Sequence, residues 1–92
     1  LSRRPRVRSP KGSPEAIASV ATSAYGSPRG GAAYIDRLLG RLQFTEVQYG
    51  AEDNPRVCRY WYDPTAETRY SLAYVKRLMS ARSLLESGQV EP

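Results

Sequence analysis

The stretch that decides the fold is residues 44–63, FTEVQYGAEDNPRVCRYWYD, where two runs rich in β-branched and aromatic residues flank a polar break. Gly50, Asn54 and Pro55 give the break the composition of a turn. The pattern therefore predicts two strands joined as a β-hairpin. Side chains alternate between the two faces of a strand. Thr45, Val47 and Tyr49 therefore share one face of the first strand, and Cys58, Tyr60 and Tyr62 share one face of the second. Because an isolated hairpin is marginal in water, we expect helices to cover one side of it.

Two helical patterns precede the hairpin. The first, residues 13–26 (SPEAIASVATSAYG), has a serine suited to cap a helix, a proline at the first helical position and a glycine at the end. The second, residues 32–44 (AAYIDRLLGRLQF), repeats Ile, Leu, Leu and Leu at helical spacing. Between them GSPRGG, residues 26–31, predicts a flexible linker. Gly40 inside the second helix favours a neighbour packed close to its backbone, with an end of the helix near this glycine as the alternative.

A long helix is predicted after the hairpin, over residues 63–88 (DPTAETRYSLAYVKRLMSARSLLESG). Asp63 suits the N-cap, Pro64 the first helical position and Gly88 the end. Its apolar stripe comprises Tyr74, Val75, Leu78, Met79 and Leu85. This helix shares a Tyr-x-x-Arg-Leu pattern with the second helix, a match that two amphipathic helices often show by chance. In both helices the pattern places a tyrosine and an arginine next to the apolar stripe.

The predicted fold class is therefore α+β: a small body of two or three helices with a β-hairpin and a long C-terminal helix, preceded by an extended basic N-terminal arm. We divide the chain into the arm (1–12), a short helix with a Gly/Pro linker (13–31) and a helix-hairpin-helix body (32–92). Residues 1–31 are expected to add little core. The expected core is Leu38, Leu42, Val47, Leu78 and Met79. A body this small buries only roughly 60% of its unfolded surface, so we expect it to depend on a partner.

Charge is concentrated in the arm. The chain has 14 Lys and Arg against 9 Asp and Glu, a net charge of +5. Residues 1–11 contain no acid and account for the whole excess, through Arg3, Arg4, Arg6, Arg8 and Lys11. Such a segment suits RNA phosphates or an acidic protein surface, or it is a solvated tail. Because the rest of the chain is balanced, the protein surface is the favoured interpretation, and RNA is the alternative.

The sequence lacks the residues and motifs that enzymes most often use for catalysis. The chain has no histidine and one cysteine, and it contains no phosphate-binding glycine loop. The adjacent Glu52 and Asp53 are typical of a solvated turn. We therefore predict a protein that is not an enzyme and has no cofactor, no metal and no small-molecule substrate. No apolar stretch approaches the roughly 20 residues that a membrane span needs.

The best binding cluster is Arg56, Arg59, Tyr60, Trp61 and Tyr62, because Trp, Tyr and Arg dominate interface hot spots. The same aromatic residues also suit a core, and Trp61 is the expected exposed anchor if Tyr60 and Tyr62 are buried. The predicted partner-binding residues are this cluster and the five basic residues of the arm.

The predicted function is a non-catalytic structural or linker subunit that holds acidic protein surfaces of a large multi-subunit assembly together. The alternative is an organellar ribosomal or other RNA-binding protein. A lone cysteine and an Arg- and Ser-rich start favour the interior of a chloroplast or mitochondrion. The initial Leu1 indicates either processing or a fragment boundary. Ser9, Ser13 and Ser27 precede prolines near basic residues, and phosphorylation there would reduce the charge of the arm.

Overall fold

The computed structural model describes residues 12–88, which form helices and one antiparallel sheet. In chain order the elements are α1 (Pro14–Tyr25), α2 (Pro28–Arg41), β1 (Gln43–Ala51), β2 (Asn54–Asp63), β3 (Thr68–Tyr70) and α3 (Leu72–Glu86). The predicted α+β class, the hairpin and the C-terminal helix are confirmed. The basic residues of the arm, from Arg3 to Lys11, lie outside the described residues.

A Ser-Pro pair starts each of the first two helices. The Ser13 hydroxyl accepts a hydrogen bond from the Ala16 amide at 3.1 Å, and the Ser27 hydroxyl accepts one from the Gly30 amide at 3.0 Å. In both helices the proline occupies the first turn, where its missing N–H costs no hydrogen bond. The predicted linker at GSPRGG is therefore wrong, because residues 28–31 form the first turn of α2. The capping signal of the serine and proline outweighs the two glycines.

Two of the three glycines in α2 have opposite surroundings. A Cβ on Gly31 would lie 3.0 Å from the Ala21 carbonyl carbon, so α1 and α2 approach each other closely at this point. A Cβ on Gly40 would meet nothing within 4 Å. The prediction of a close neighbour at Gly40 is wrong, and the alternative holds, since α2 ends one residue later at Arg41.

The predicted start of the last helix is also wrong. Asp63 ends β2, and its side chain accepts backbone hydrogen bonds from Thr65 at 2.9 Å and Ala66 at 3.4 Å. An aspartate makes the same bonds in a turn as it makes at a helix N-cap, so the sequence signal was ambiguous. Glu67 then adopts a positive φ of 54°, which breaks any helix, and a short third strand follows. The helix α3 starts only after Ser71, whose hydroxyl accepts from the Tyr74 amide.

The core lies between the three helices of the described segment. It contains Ile17, Ala18 and Ala21 of α1, Ala32, Ile35 and Leu38 of α2, and Leu78, Ala81 and Leu85 of α3. Residues 13–31 therefore do contribute core, contrary to our expectation. Of the expected core residues, Leu38 and Leu78 are buried and Leu42 is partly buried, but Val47 is 43% and Met79 42% exposed. Met79 is not part of the core cluster, and Val47 lies on the projecting hairpin.

The hairpin extends well beyond the helices. Strands β1 and β2 pair in register from Gln43↔Tyr62 to Ala51↔Asn54, whereas β3 pairs only with residues 61–63 at the base. Every residue from 46 to 59 is exposed. Helices thus cover only the base of the hairpin, and its outer part is a two-stranded ribbon with both faces in solvent.

Candidate functional site

A buried ion pair fixes the base of the sheet to the helices. The Arg41 Nε at the end of α2 donates to both carboxylate oxygens of Asp63, at 3.1 and 3.2 Å. Asp63 is only 1% exposed. The Arg41 hydrogen bond holds the pKa of this carboxyl below its usual value against the opposing effect of burial, and the backbone amides of Ala66 and Thr65 add to the lowering. Because Arg41 ends α2 and Asp63 ends β2, this ion pair joins the base of the hairpin to the helices.

The two faces of the sheet differ in their relation to the helices. Tyr70 of β3 packs against the helical core and is the cross-strand partner of Trp61, so both side chains lie on the helix side. Phe44 pairs with Trp61 and meets it edge to face, with ring centroids 5.2 Å apart. We call the opposite side the outer sheet face, defined by Thr45, Val47, Tyr49, Arg56, Cys58, Tyr60, Tyr62 and Arg69.

The outer sheet face is basic and aromatic. The Arg69 guanidinium lies 5.1 Å from the centre of the Tyr60 ring, within the range of a cation–π contact. Arg56 pairs across the strands with Tyr49. Neither arginine makes an ion pair with another residue of 12–88, and no strand residue on this face is acidic. The face therefore presents uncompensated positive charge beside exposed aromatic rings.

The structure divides the predicted binding cluster between the two faces. Arg56, Tyr60 and Tyr62 lie on the outer sheet face. Arg59 and Trp61 lie on the helix side, where the Arg59 Nε is 2.6 Å from a carboxylate oxygen of Glu46. The condition for Trp61 as the exposed anchor was burial of both tyrosines, yet Tyr60, Trp61 and Tyr62 are all partly exposed.

Sequence reasoning missed Arg69 and Tyr49 as members of this surface. The predicted long helix, residues 63–88, included Arg69. Because the helix was predicted to start too early, the sequence did not indicate that Arg69 lies on a strand beside Tyr60. Tyr49 was assigned to the correct face of β1 but not to the binding residues. Only the strand register shows that Arg56 is its cross-strand partner.

A second feature, which we call the tyrosine cavity, lies between the helices and β3. It has a volume of about 660 Å³ and is lined by Ala16, Ile17, Val20, Ala21, Ala24, Tyr25, Tyr34, Ile35, Leu38, Tyr70, Tyr74 and Leu78. Tyr25 stacks on Tyr34 with ring centroids 4.5 Å apart, and Tyr70 stacks on Tyr74 at 5.5 Å. Burial raises the pKa of the Tyr70 and Tyr74 phenols, so both are neutral at pH 7.

The shared Tyr-x-x-Arg-Leu pattern, which the sequence alone did not connect with a cavity, supplies four of the lining residues. Its tyrosine and leucine are Tyr34 and Leu38 in α2, and Tyr74 and Leu78 in α3, and all four line the cavity. The pattern places a tyrosine one helical turn before a core leucine in each helix. It could not show that the two helices would face the same space.

Other kinds of site find little support within the described part of the chain. Residues 12–88 hold no group of three or more potential metal-ligating His, Cys, Asp or Glu side chains. Among the helices α1–α3, none has the length and apolar character to cross a membrane.

The comparisons with known proteins give no further guidance, since no family model, curated protein or solved structure matches the chain. Function must therefore be argued from the geometry of the two surfaces.

Proposed function

We propose that this protein is a non-catalytic binding subunit of a multi-subunit assembly, and that the outer sheet face docks on an acidic surface of a neighbouring protein. The observation that carries this proposal is the exposed ribbon of residues 46–59. A two-stranded hairpin with both faces in water is marginal by itself, so a partner surface is the natural stabilising element. Large exposed apolar side chains on the ribbon, among them Val47, Tyr49 and Val57, support the same interpretation.

Charge supports an acidic partner. Arg56 and Arg69 of the outer sheet face lack carboxylate partners among residues 12–88, whereas Arg59 on the helix side is paired with Glu46. The sequence adds five more basic residues before Gly12. Arginine suits a carboxylate-bearing surface because its planar group donates two parallel hydrogen bonds. Two linked binding elements would also raise the overall affinity, because the second contact becomes intramolecular.

RNA is the second candidate, and one observation favours it. The outer sheet face combines one exposed and two partly exposed tyrosines with arginines and lacks acidic strand residues, which is the composition that sheets use to stack bases and neutralise phosphates. Against it, residues 12–88 carry nine basic and eight acidic side chains, so the described body has no broad phosphate-binding surface.

The single cysteine provides a direct test. Cys58 is exposed in the middle of the outer sheet face, so a maleimide-linked photo-crosslinker can be attached there in the full chain. The matched control is the double variant Cys58→Ser/Ser83→Cys, which moves the same probe to an exposed position on α3. In a native extract, we expect the Cys58 probe to capture acidic protein subunits of one assembly and the Ser83→Cys probe to capture none of them.

Salt and charge separate a specific contact from chance capture. Capture by the Cys58 probe should fall as the salt concentration rises, because the arginine contacts are partly exposed. Arg69→Gln should lower the yield at low salt. Equal capture from both probe positions, or capture that is indifferent to salt and to Arg69→Gln, would contradict the proposal.

The RNA alternative has its own measurement. The full chain is titrated into fluorescent oligouridylate, and the affinity is compared with that of Tyr60→Ala. Loss of a stacked base would weaken binding by about 1–3 kcal/mol, and that result would assign the face to RNA. Weak binding that falls only with net charge is expected under the protein-docking proposal.

A further inference from the structure

The tyrosine cavity lies outside the outer sheet face and has no part in the docking proposal. Its volume of about 660 Å³ falls within the roughly 300–1,000 Å³ typical of small-molecule sites. Four tyrosine rings and apolar side chains such as Ile17 and Leu78 form its walls. Val20, 68% exposed, lies at its margin, so the space is open to solvent and has an entry route.

A few polar groups interrupt the apolar lining. Tyr34, Tyr70 and Tyr74 come from three different elements and bring hydroxyl groups to the same space. None of these hydroxyls makes a hydrogen bond to another residue of 12–88. They are therefore available to a ligand as donors and acceptors. An apolar space with a small number of such groups is the usual composition of a ligand site.

A positive charge lies next to one of the lining tyrosines, although its residue, Arg77, is not itself part of the lining. The Arg77 guanidinium is 5.6 Å from the centre of the Tyr74 ring. Within the described residues Arg77 makes no ion pair, and its Nε is buried without a hydrogen-bond partner. Arg41 also interacts electrostatically with Tyr34 and Tyr70, but its charge is compensated by the ion pair with Asp63. The uncompensated charge beside the tyrosines therefore belongs to Arg77.

We propose that the tyrosine cavity binds a small planar aromatic acid. The ring body lies against the tyrosine rings and the apolar side chains of α1 and α3. The acid group lies at the Tyr74 end of the cavity, where the neighbouring Arg77 guanidinium supplies the complementary charge. The tyrosine hydroxyls fix the orientation of the bound molecule.

The test uses 2-naphthoate as the probe and the full chain as the receptor. Binding is followed by calorimetry and by amide chemical shifts in ¹⁵N-labelled protein. We expect saturable one-to-one binding, with shifts at cavity residues such as Tyr34 and Tyr74 and none at the outer sheet face. Ala24→Leu adds volume at an exposed lining position and should weaken binding by about ten-fold or more.

Two controls make the test specific. Ala73→Leu makes the same change at an exposed α3 position outside the cavity and should leave the affinity unchanged. Neutral 2-naphthalenemethanol should bind about ten-fold more weakly than 2-naphthoate, and Arg77→Gln should remove that preference while the neutral probe binds as before.

Three results would each overturn the proposal. The first is the absence of saturable 2-naphthoate binding at millimolar concentration. The second is binding that Ala24→Leu and Ala73→Leu affect equally, or chemical shifts confined to the sheet. The third is equal affinity for the acid and the alcohol in both the natural chain and Arg77→Gln. Each variant is first shown to keep the far-ultraviolet circular dichroism of the natural chain, so that a loss of binding reflects the cavity.

Discussion

Replacing Gly31 and Gly40 separately by alanine tests the packing of α1 against α2. Both glycines lie inside α2, so each change gains helix propensity of about 1 kcal/mol relative to glycine. At Gly40 nothing lies within 4 Å of the added Cβ, and this gain should appear in full. At Gly31 the added Cβ lies 3.0 Å from the Ala21 carbonyl carbon and 3.1 Å from the Thr22 amide nitrogen. These are backbone atoms, so α1 itself must move.

The difference between the two variants isolates the cost of that movement, because helix propensity contributes to both. Overpacking of a well-packed contact typically costs about 1–3 kcal/mol. Gly40→Ala should therefore raise the free energy of unfolding by about 1 kcal/mol, and Gly31→Ala should change it by between about 0 and −2 kcal/mol. For a domain of this size, about 1 kcal/mol corresponds to roughly 4–8 °C in Tm.

Urea denaturation of the full chain, followed by circular dichroism, measures both values. Equal m-values for the two variants and the natural chain would show that the unfolding transitions are comparable. If Gly31→Ala stabilised the protein as much as Gly40→Ala, then α1 and α2 would not be in close contact at this point. The core between the helices would then have to be assigned differently.

Three more predictions concern single side chains. Arg41 lowers the folded-state pKa of Asp63, so the ionised carboxylate stabilises the fold above the ordinary carboxyl pKa, and this contribution is lost as pH falls through the folded value. Asp63→Asn should therefore flatten the acid side of the stability–pH profile. The control is Asp53→Asn, at an exposed position. Burial raises the phenol pKa of Tyr74, so stability should fall as pH rises above about 10. Because burial raises the pKa of Tyr70 as well, Tyr74→Phe should reduce the late phase of a spectrophotometric tyrosine titration without removing it. Cys58 is exposed, so a thiol reagent should label it in the native protein as fast as in urea; slow native labelling would contradict the exposed ribbon.

The sequence by itself determined the local elements whose signals lie within a few residues. Ser13 and Pro14 fixed the start of α1, Gly26 its end, and Gly88 the end of α3, because caps depend on hydrogen bonds and φ angles inside one turn. The hairpin followed from alternation on both sides of a turn-forming break. Ser27 and Pro28 carried the same start signal for α2, but the glycines after them suggested a linker.

Tertiary structure decided whatever depends on residues distant in the chain. Asp63 reads equally well as a helix cap or a turn residue, and its ion pair with Arg41, 22 residues earlier, accompanies the turn. Because a turn follows Asp63, α3 begins only at Leu72 and residues 68–70 form β3. This strand places Arg69 beside Tyr60 on the outer sheet face. The tyrosine cavity has the same origin, because Tyr34 and Tyr74 carry matching local patterns whose common space exists only once α2 and α3 pack together. Periodicity shows which side of an element is apolar, but only the packing of the elements shows what that side faces.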